Sequence, residues 1–275
     1  MSAGAKTPAA TLLLIGCGKM GQALLKGWLD RNATRHVVVV EPGTGADHFA
    51  NDRRVERRRT AETVDAAFVP DAIVLAVKPQ ILTAVLPAYK RLARTSLFLS
   101  IAAGKTLAYF AREIGEGAAV VRAMPNTPAA IGRGITVACA NPLVSDPQHA
   151  LAERLLASVG EVAWIEQEGL MDAVTAVSGS GPAYVFLLIE CLAKAGITAG
   201  LPDTLALRLA HATVTGSGEL ARLASESAAK LREHVTSPGG TTRAALDVLM
   251  GEGGLESLMI KAVEAAARRS RQLAD

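Results

Sequence analysis

With 275 residues, 50% of them hydrophobic and 20% charged, the chain has enough apolar material to bury a core and is expected to form two domains; the same composition argues against disorder. A formal charge of +3, scattered along the chain, argues against nucleic-acid binding, which concentrates Lys and Arg on one face or helix. Three distant cysteines (Cys17, Cys139 and Cys191) without a C-x-x-C pair, and five dispersed histidines, indicate neither a disulfide framework nor a metal site, and fit a reducing cytoplasm.

The opening "MSAGAKTPAA" lacks the apolar core and cleavage site of a targeting segment and reads as a frayed end. From there to residue 165, short β-branched runs alternate with helical patterns, as expected of a parallel sheet with crossover helices. Strands are predicted at 11–15, 37–40, 72–77, 97–101, 119–121, 135–138 and 162–165. "TLLLI", "VVVV" and "IVLAV" are apolar almost throughout, which suits strands covered by helices on both faces. Between the second and third of these, Arg53, Arg54, Arg57, Arg58 and Arg59 interleave with Asp52 and Glu56; the run reads as solvated surface, with a phosphate contact as the alternative.

After residue 165 the strand-like runs stop, and Leu, Ala and Met recur at helical spacing, with breaks at 196–202, near Ser225 and at 237–240. The fold class is therefore α/β: a Rossmann-type parallel sheet over 1–165 followed by an all-helical domain over 166–275. Its many Ala residues suit close helix approach, so the helical part reads either as a self-associating surface or as a plain monomeric bundle. The longest apolar stretch, 182–192, carries Glu190 and falls short of the ~20 residues a bilayer requires, so no membrane segment is expected.

"TLLLIGCGKMGQALLKGWLD" has the order strand, Gly16-x-Gly18-x-x-Gly21, helix. In that context Gly16 allows a tight turn, Gly18 removes the Cβ that would meet a pyrophosphate, Gly21 permits close helix packing, and the first N–H groups of the helix receive phosphates. Glu41 stands twenty residues beyond Gly21, at the end of the second predicted strand. There a carboxylate accepts hydrogen bonds from a ribose 2′-hydroxyl and repels a 2′-phosphate, so the cofactor is NAD or NADP with Glu41 favouring NAD. "AVKPQ" (Val77, Lys78, Pro79) and "SIAAG" (Ala102, Ala103, Gly104) lie at further strand ends. Lys78 is either beside the nicotinamide or substrate, or a surface lysine after a proline turn.

In "DAVTAVSGSGPAYVFLLIECLAKAG" two glycines and a proline interrupt a helical pattern, at a cost of ~1 and ~3 kcal/mol for such residues in a helix interior. Close approach of a ligand or partner helix would offset that, and a simple helix break is the other reading. In "EHVTSPGGTTRAALDVL", Pro238 ends one helix, Gly239 and Gly240 turn the backbone without a Cβ barrier, and the N–H groups opening the next helix face an anion. Ser237 and Thr241 or Thr242 add hydroxyl donors. On residue pattern alone, a helix–turn–helix corner with threonine caps serves equally well.

Taken together, Gly16-Cys17-Gly18-Lys19-Met20-Gly21, "AVKP", "SIAAG", "RAMPNTP", "AVSGSGPAY" and "VTSPGGTT" resemble the pyrroline-5-carboxylate reductases from about residue 12 to residue 273. "SGSGPAY" and "SPGGTT" are the specific parts, since many dehydrogenases share the glycine loop. The resemblance implies NAD(P)H-dependent reduction of 1-pyrroline-5-carboxylate to L-proline, the last step of proline biosynthesis. It also implies a helical domain that interleaves with its partner in a homodimer, and higher assemblies of such dimers. The glycine loop and the strand ends are expected to place Gly16, Gly18, Lys19, Met20, Gly21, Glu41, Val77, Lys78, Pro79 and Ala103 around the dinucleotide, and the resemblance adds a substrate loop and a role for one hydroxyl. Ser237, Gly239, Gly240, Thr241 and Thr242 hold the substrate carboxylate, and Thr242 has a hydrogen-bonding or proton-relay role. Hydride chemistry belongs to the cofactor, so no His or carboxylate dyad is required. A threonine hydroxyl is too weakly acidic to be the sole proton source, and Thr242 is expected to orient the imine or a water.

Two features depart from the family pattern: Glu41 stands where many relatives carry Ser, Thr or a basic residue, and "SESAAK" lacks the His-Pro-Gly of many relatives. The 3-hydroxyacid and 6-phosphogluconate dehydrogenase type shares a glycine loop and a helical second domain, but its catalytic K-x-x-N arrangement is absent after "GSGPAY". A regulatory protein that has lost catalysis would have no evident use for both halves of the site.

Overall fold

The computed structural model describes residues 9–274, so the reading of the first residues as a frayed end falls largely outside it. Eight strands form one sheet in the order β3-β2-β1-β4-β5-β6-β7-β8. They are β1 Ala10–Ile15, β2 Thr34–Val40, β3 Val55–Arg58, β4 Ala72–Leu75, β5 Leu97–Ser100, β6 Val120–Met124, β7 Gly134–Ala140 and β8 Gly160–Trp164. All neighbours run parallel except β6 and β7. Because side chains alternate along a strand, Leu12 and Leu14 enter one apolar layer with Val37, Val39 and Val74, while Leu13 and Ile15 enter the other with Val38, Val40 and Ile73. Both faces are covered, which is why these strands read as unbroken apolar runs.

The first unit ends at Gly179 and takes in residues 267–274; the second is Ser180–Ala266. The last strand thus stops beside the expected boundary at 165, and the compact units divide some way further on. Helices of the first unit are α1 Lys19–Asp30, α2 Leu82–Val85, α3 Leu107–Ile114, α4 Asp146–Leu156 and α5 Met171–Val174. In α1, Leu24, Leu25, Trp28 and Leu29 are buried at helical spacing, and the Trp28 Nε1–H donates to the Leu155 carbonyl at 3.0 Å.

Sequence reading missed β3. Its residues "VERR" fall inside the arginine run and carry no apolar pattern, yet they pair with β2 from Val37↔Val55 to Val40↔Arg58 as the sheet edge. An edge strand needs only one paired side and tolerates charge, so hydropathy hides it. Most of the run is surface as expected: Arg54 pairs with Asp52 at 2.7 Å, and this hydrogen bonding holds the Asp52 carboxyl down at about 2.

After α5 comes a π-helical turn, Thr175–Gly179, where the sequence suggested only a break or a close approach. What approaches Gly179 is neither a ligand nor a partner helix: a Cβ there would overlap the Met124 Cε at the end of β6, in the same unit. The second unit then runs α6 Gly181–Thr198, α7 Asp203–Leu223, α8 Ala228–His234, α9 Thr241–Leu249 and α10 Leu255–Ala274, the last turns of α10 belonging with the first unit. The expectation that nothing reaches membrane-spanning length is corrected by one helical run among the described residues. Glu168–Thr198 is 31 residues long with a mean hydropathy of 1.5 in its apolar window, of which 11% is buried.

Candidate active site

The carboxyl ends of β1 and β4 are adjacent because the chain leaves β1 for β2 on one side and returns to β4 on the other. Such a reversal opens a crevice in an α/β sheet. Gly16 takes φ 88° there, and an added Cβ would lie 2.8 Å from the Ala76 carbonyl oxygen. A Cβ on Gly21 would lie 2.6 Å from the Gly16 carbonyl oxygen, so that glycine lets α1 seat on the loop. Gly18 differs from both: its Cβ would meet nothing within 4 Å. No packing within the chain demands it, and the space it leaves faces outward. It is also the N-cap of α1, with no side-chain cap and no acidic residue in the first turn, so the helix start favours an anion.

Glu41 is tied into this loop. One carboxylate oxygen accepts the Cys17 N–H at 2.7 Å and the other accepts the Gly43 N–H at 2.8 Å. An ionised carboxylate offers about four lone-pair sites, so each oxygen retains acceptor capacity. Cys17 lies beneath, its thiol reaching the Gly45 carbonyl at 3.5 Å. Burial, and then the Glu41 charge, push that thiol up to about 12. It stays protonated at neutral pH and is no nucleophile.

A cavity of about 590 Å³ opens here, lined by Gly16, Gly18, Glu41, Val77 and Lys78 from the sequence-predicted set. Lys19, Met20 and Gly21 continue into α1, Pro79 opens the turn Pro79–Ile81, and Ala103 sits in the loop after β5; none of these lines that cavity. Arg59, from the run whose alternative reading is a phosphate contact, also lines the wall; sequence reasoning missed Thr60 and Glu62, which follow the overlooked β3 with it, and Tyr89, from the segment after α2. Recognising β3 as a strand would have located Thr60 and Glu62, because ligands gather at strand ends. Burial first, then Glu62, raises the Tyr89 phenol to about 12.

The second unit carries the other predicted set. The Thr236 hydroxyl donates to the Arg232 carbonyl at 2.6 Å as α8 ends. Gly239 then takes φ 70°, the Gly240 N–H donates to the Ser237 carbonyl at 3.1 Å, and a Cβ on Gly240 would overlap Ser237 Oγ. Gly240 is the N-cap of α9, with no side-chain cap and no acidic residue in the first turn. Thr241 and Thr242 are the first two helical residues and not caps, which removes the reading of this corner as threonine-capped. Ser237, Gly239 and Thr241 are exposed, whereas Gly240 and Thr242 are half-buried. The nearby recess of about 450 Å³ is lined by Arg232, Thr236, Arg243 and Asp247, and by none of the predicted substrate residues.

Residues 168–273 match the family model described as pyrroline-5-carboxylate reductase dimerisation, and residues 11–104 match that described as NADP oxidoreductase, coenzyme F420-dependent. The chain is 43% identical to a pyrroline-5-carboxylate reductase of Synechocystis sp. over 94% of its own length and 97% of the relative's. Among solved structures it resembles the pyrroline-5-carboxylate reductase of Coxiella burnetii, with a TM-score of 0.89 and 34% identity, covering 98% of this chain and 100% of that one. It also resembles the Plasmodium falciparum pyrroline carboxylate reductase with NADP bound, with a TM-score of 0.81 and 30% identity, covering 97% and 98% of the two chains.

Proposed function

The chain belongs to the pyrroline-5-carboxylate reductase family and reduces 1-pyrroline-5-carboxylate to L-proline with a reduced nicotinamide dinucleotide, and we propose that its two units divide the binding work. The first unit holds the dinucleotide. The observation that carries this reading is Gly18, which no packing within the chain requires, opening onto a cavity at the sheet crevice. When bound, the dinucleotide supplies the hydride that reaches the imine carbon.

The protein's part is to bind, orient and balance charge. Gly18 and the uncapped start of α1 receive the pyrophosphate, and Val77 and Lys78 border the same cavity. In the second unit, the N–H groups opening α9 and the Ser237 hydroxyl receive the substrate carboxylate, with Gly239 and Gly240 shaping the turn. The Thr241 hydroxyl adds a donor, and the Thr242 hydroxyl orients the imine nitrogen or the water that protonates it. The exposed apolar faces of the helical unit, matched by the dimerisation family, assemble two copies into a homodimer.

Glu41 directs the choice of dinucleotide. Its oxygens keep acceptor capacity for a ribose diol after binding Cys17 and Gly43, and its charge opposes a 2′-phosphate. Arg59, on the same cavity, is the group that would favour the phosphate. Initial rates of NADH and NADPH oxidation with pyrroline-5-carboxylate, proline being identified as product, decide between them. NADH is expected to be preferred, and Glu41→Ser is expected to shift the kcat/KM ratio toward NADPH by about tenfold, equivalent to ~1.4 kcal/mol. Preference of the unaltered enzyme for NADPH would overturn the assignment of Glu41 while leaving the reaction intact.

A further inference from the structure

The loop between β5 and α3, residues 101–106, carries Ala103 and is held from outside the sheet by two segments distant in sequence. On one side Glu168 Oε1 accepts both the Leu107 N–H at 2.8 Å and the Arg122 Nη1–H at 2.7 Å. The Arg122 side chain is only 7% exposed, so this is a charge-assisted bond inside the unit. On the other side the end of α10 lies over Gly104: that glycine takes φ 78°, is buried, and an added Cβ would lie 3.0 Å from the Leu273 carbonyl oxygen. The two grips are joined. The Ser270 hydroxyl, 5% exposed, donates to Asp172 Oδ1 at 2.6 Å. Asp172 lies in α5, which follows directly on the 3-10 turn Glu168–Leu170, so the two carboxylates sit four residues apart on one continuous helical run.

These residues occupy the two places where the chain passes between units, shortly before Gly179 and shortly after Ala266. We propose that Asp172 and Ser270 are positioning residues for the dinucleotide: by fastening the end of α10 to the helical run that carries Glu168, they hold the Ala103 loop in the geometry the dinucleotide requires. Neither side chain touches the reacting atoms. The inference rests on the reading that the first unit binds the dinucleotide beside the glycine loop and the loop after β5.

The experiment uses the full-length enzyme and reads both steady-state kinetics and direct NADH binding by fluorescence titration. Ser270→Ala and Asp172→Ala are each expected to raise KM and Kd for NADH about two- to tenfold, the range of one lost hydrogen bond, with kcat and the KM for pyrroline-5-carboxylate changed less than about twofold. Ser270→Thr and Asp172→Asn keep a donor and an acceptor at the same atoms and are expected to restore values near those of the unaltered enzyme. Gly18→Val serves as the reference, because it weakens NADH binding if the glycine loop receives the dinucleotide. Weakened binding in Gly18→Val with unchanged binding in Ser270→Ala and Asp172→Ala would overturn the positioning role and leave the dinucleotide site standing. Unchanged binding in all three would overturn both. A parallel fall in kcat, both KM effects and melting temperature, not rescued by Ser270→Thr, would mark a purely structural bond and likewise overturn the proposal.

Discussion

The two units use apolar residues in opposite ways. In the first, Trp28, Phe98, Phe110 and the strand leucines are fully buried between sheet and helices. In the second, the buried apolar residues among those described are Ala193, Ala206 and Ala210, while Phe186 is 59% exposed, Leu187 57% and Val248 75%. α6 and α7 do pack closely, Gly196 lying where a Cβ would come 3.3 Å from that of Ala206, but large apolar side chains of both helices, Leu188 and Leu207 among them, stay exposed. A sheet with crossover helices completes its core within one chain. A pair of long helices buries one stripe each and leaves the rest for another surface. The first unit therefore folds around its own core, and if association covers the apolar faces of the second, as proposed above, its stability is expected to depend on protein concentration.

Breaking the association should give the largest effect. Phe186→Asp places a charge on the exposed apolar face of α6 and is expected to convert the homodimer to monomer in light scattering, with proline formation reduced by about a hundredfold or more, as for a central interface residue. A variant that stayed dimeric and active would remove this face from the interface. Next in size is Thr242→Val, which keeps the shape and deletes the hydroxyl at the start of α9; turnover should fall by about tenfold or more, the loss typical of one positioned donor. Unaltered kinetics would eliminate the role of that hydroxyl.

The smallest expected effect belongs to the first unit alone. Burial raises Cys17 from 9.0 to about 12, Tyr89 from 10.0 to about 12 and Cys139 from 9.0 to about 11, with Glu41, Glu62 and Glu168 adding to the three shifts respectively and Arg122 opposing that of Cys139. These groups stay protonated in the folded protein at a pH where the unfolded chain has lost the protons. Their contribution is thus complete below about pH 9 and is lost as pH rises toward 11 and 12. Melting temperature should decline across that window, and Cys17→Ala should flatten the decline. An identical slope in the variant would show that this thiol does not contribute to it.

Much of this was legible in the chain itself. The strand runs are apolar on both faces, and the glycine spacing marks the turn into α1, where Gly16 takes φ 88° and neither Gly16 nor Gly21 leaves room for a Cβ. The Ser-Pro-Gly-Gly-Thr-Thr corner likewise announces a turn followed by a helix start. β3 was not legible, since an edge strand rich in arginine has no hydropathy signal, and with it went Thr60 and Glu62. The π-helical turn before α6 was also hidden, because nothing local distinguishes it from a simple break.

Local sequence determined the elements and the turns, through periodicity, proline and glycine, whose effects act over a few residues. Tertiary structure decided which distant groups meet: Glu41 with the Cys17 N–H, Gly179 with Met124, Ser270 with Asp172, and Glu168 with Arg122. Those pairings depend on strand order and on where the chain crosses between units, and the chemistry of a single residue carries no record of either.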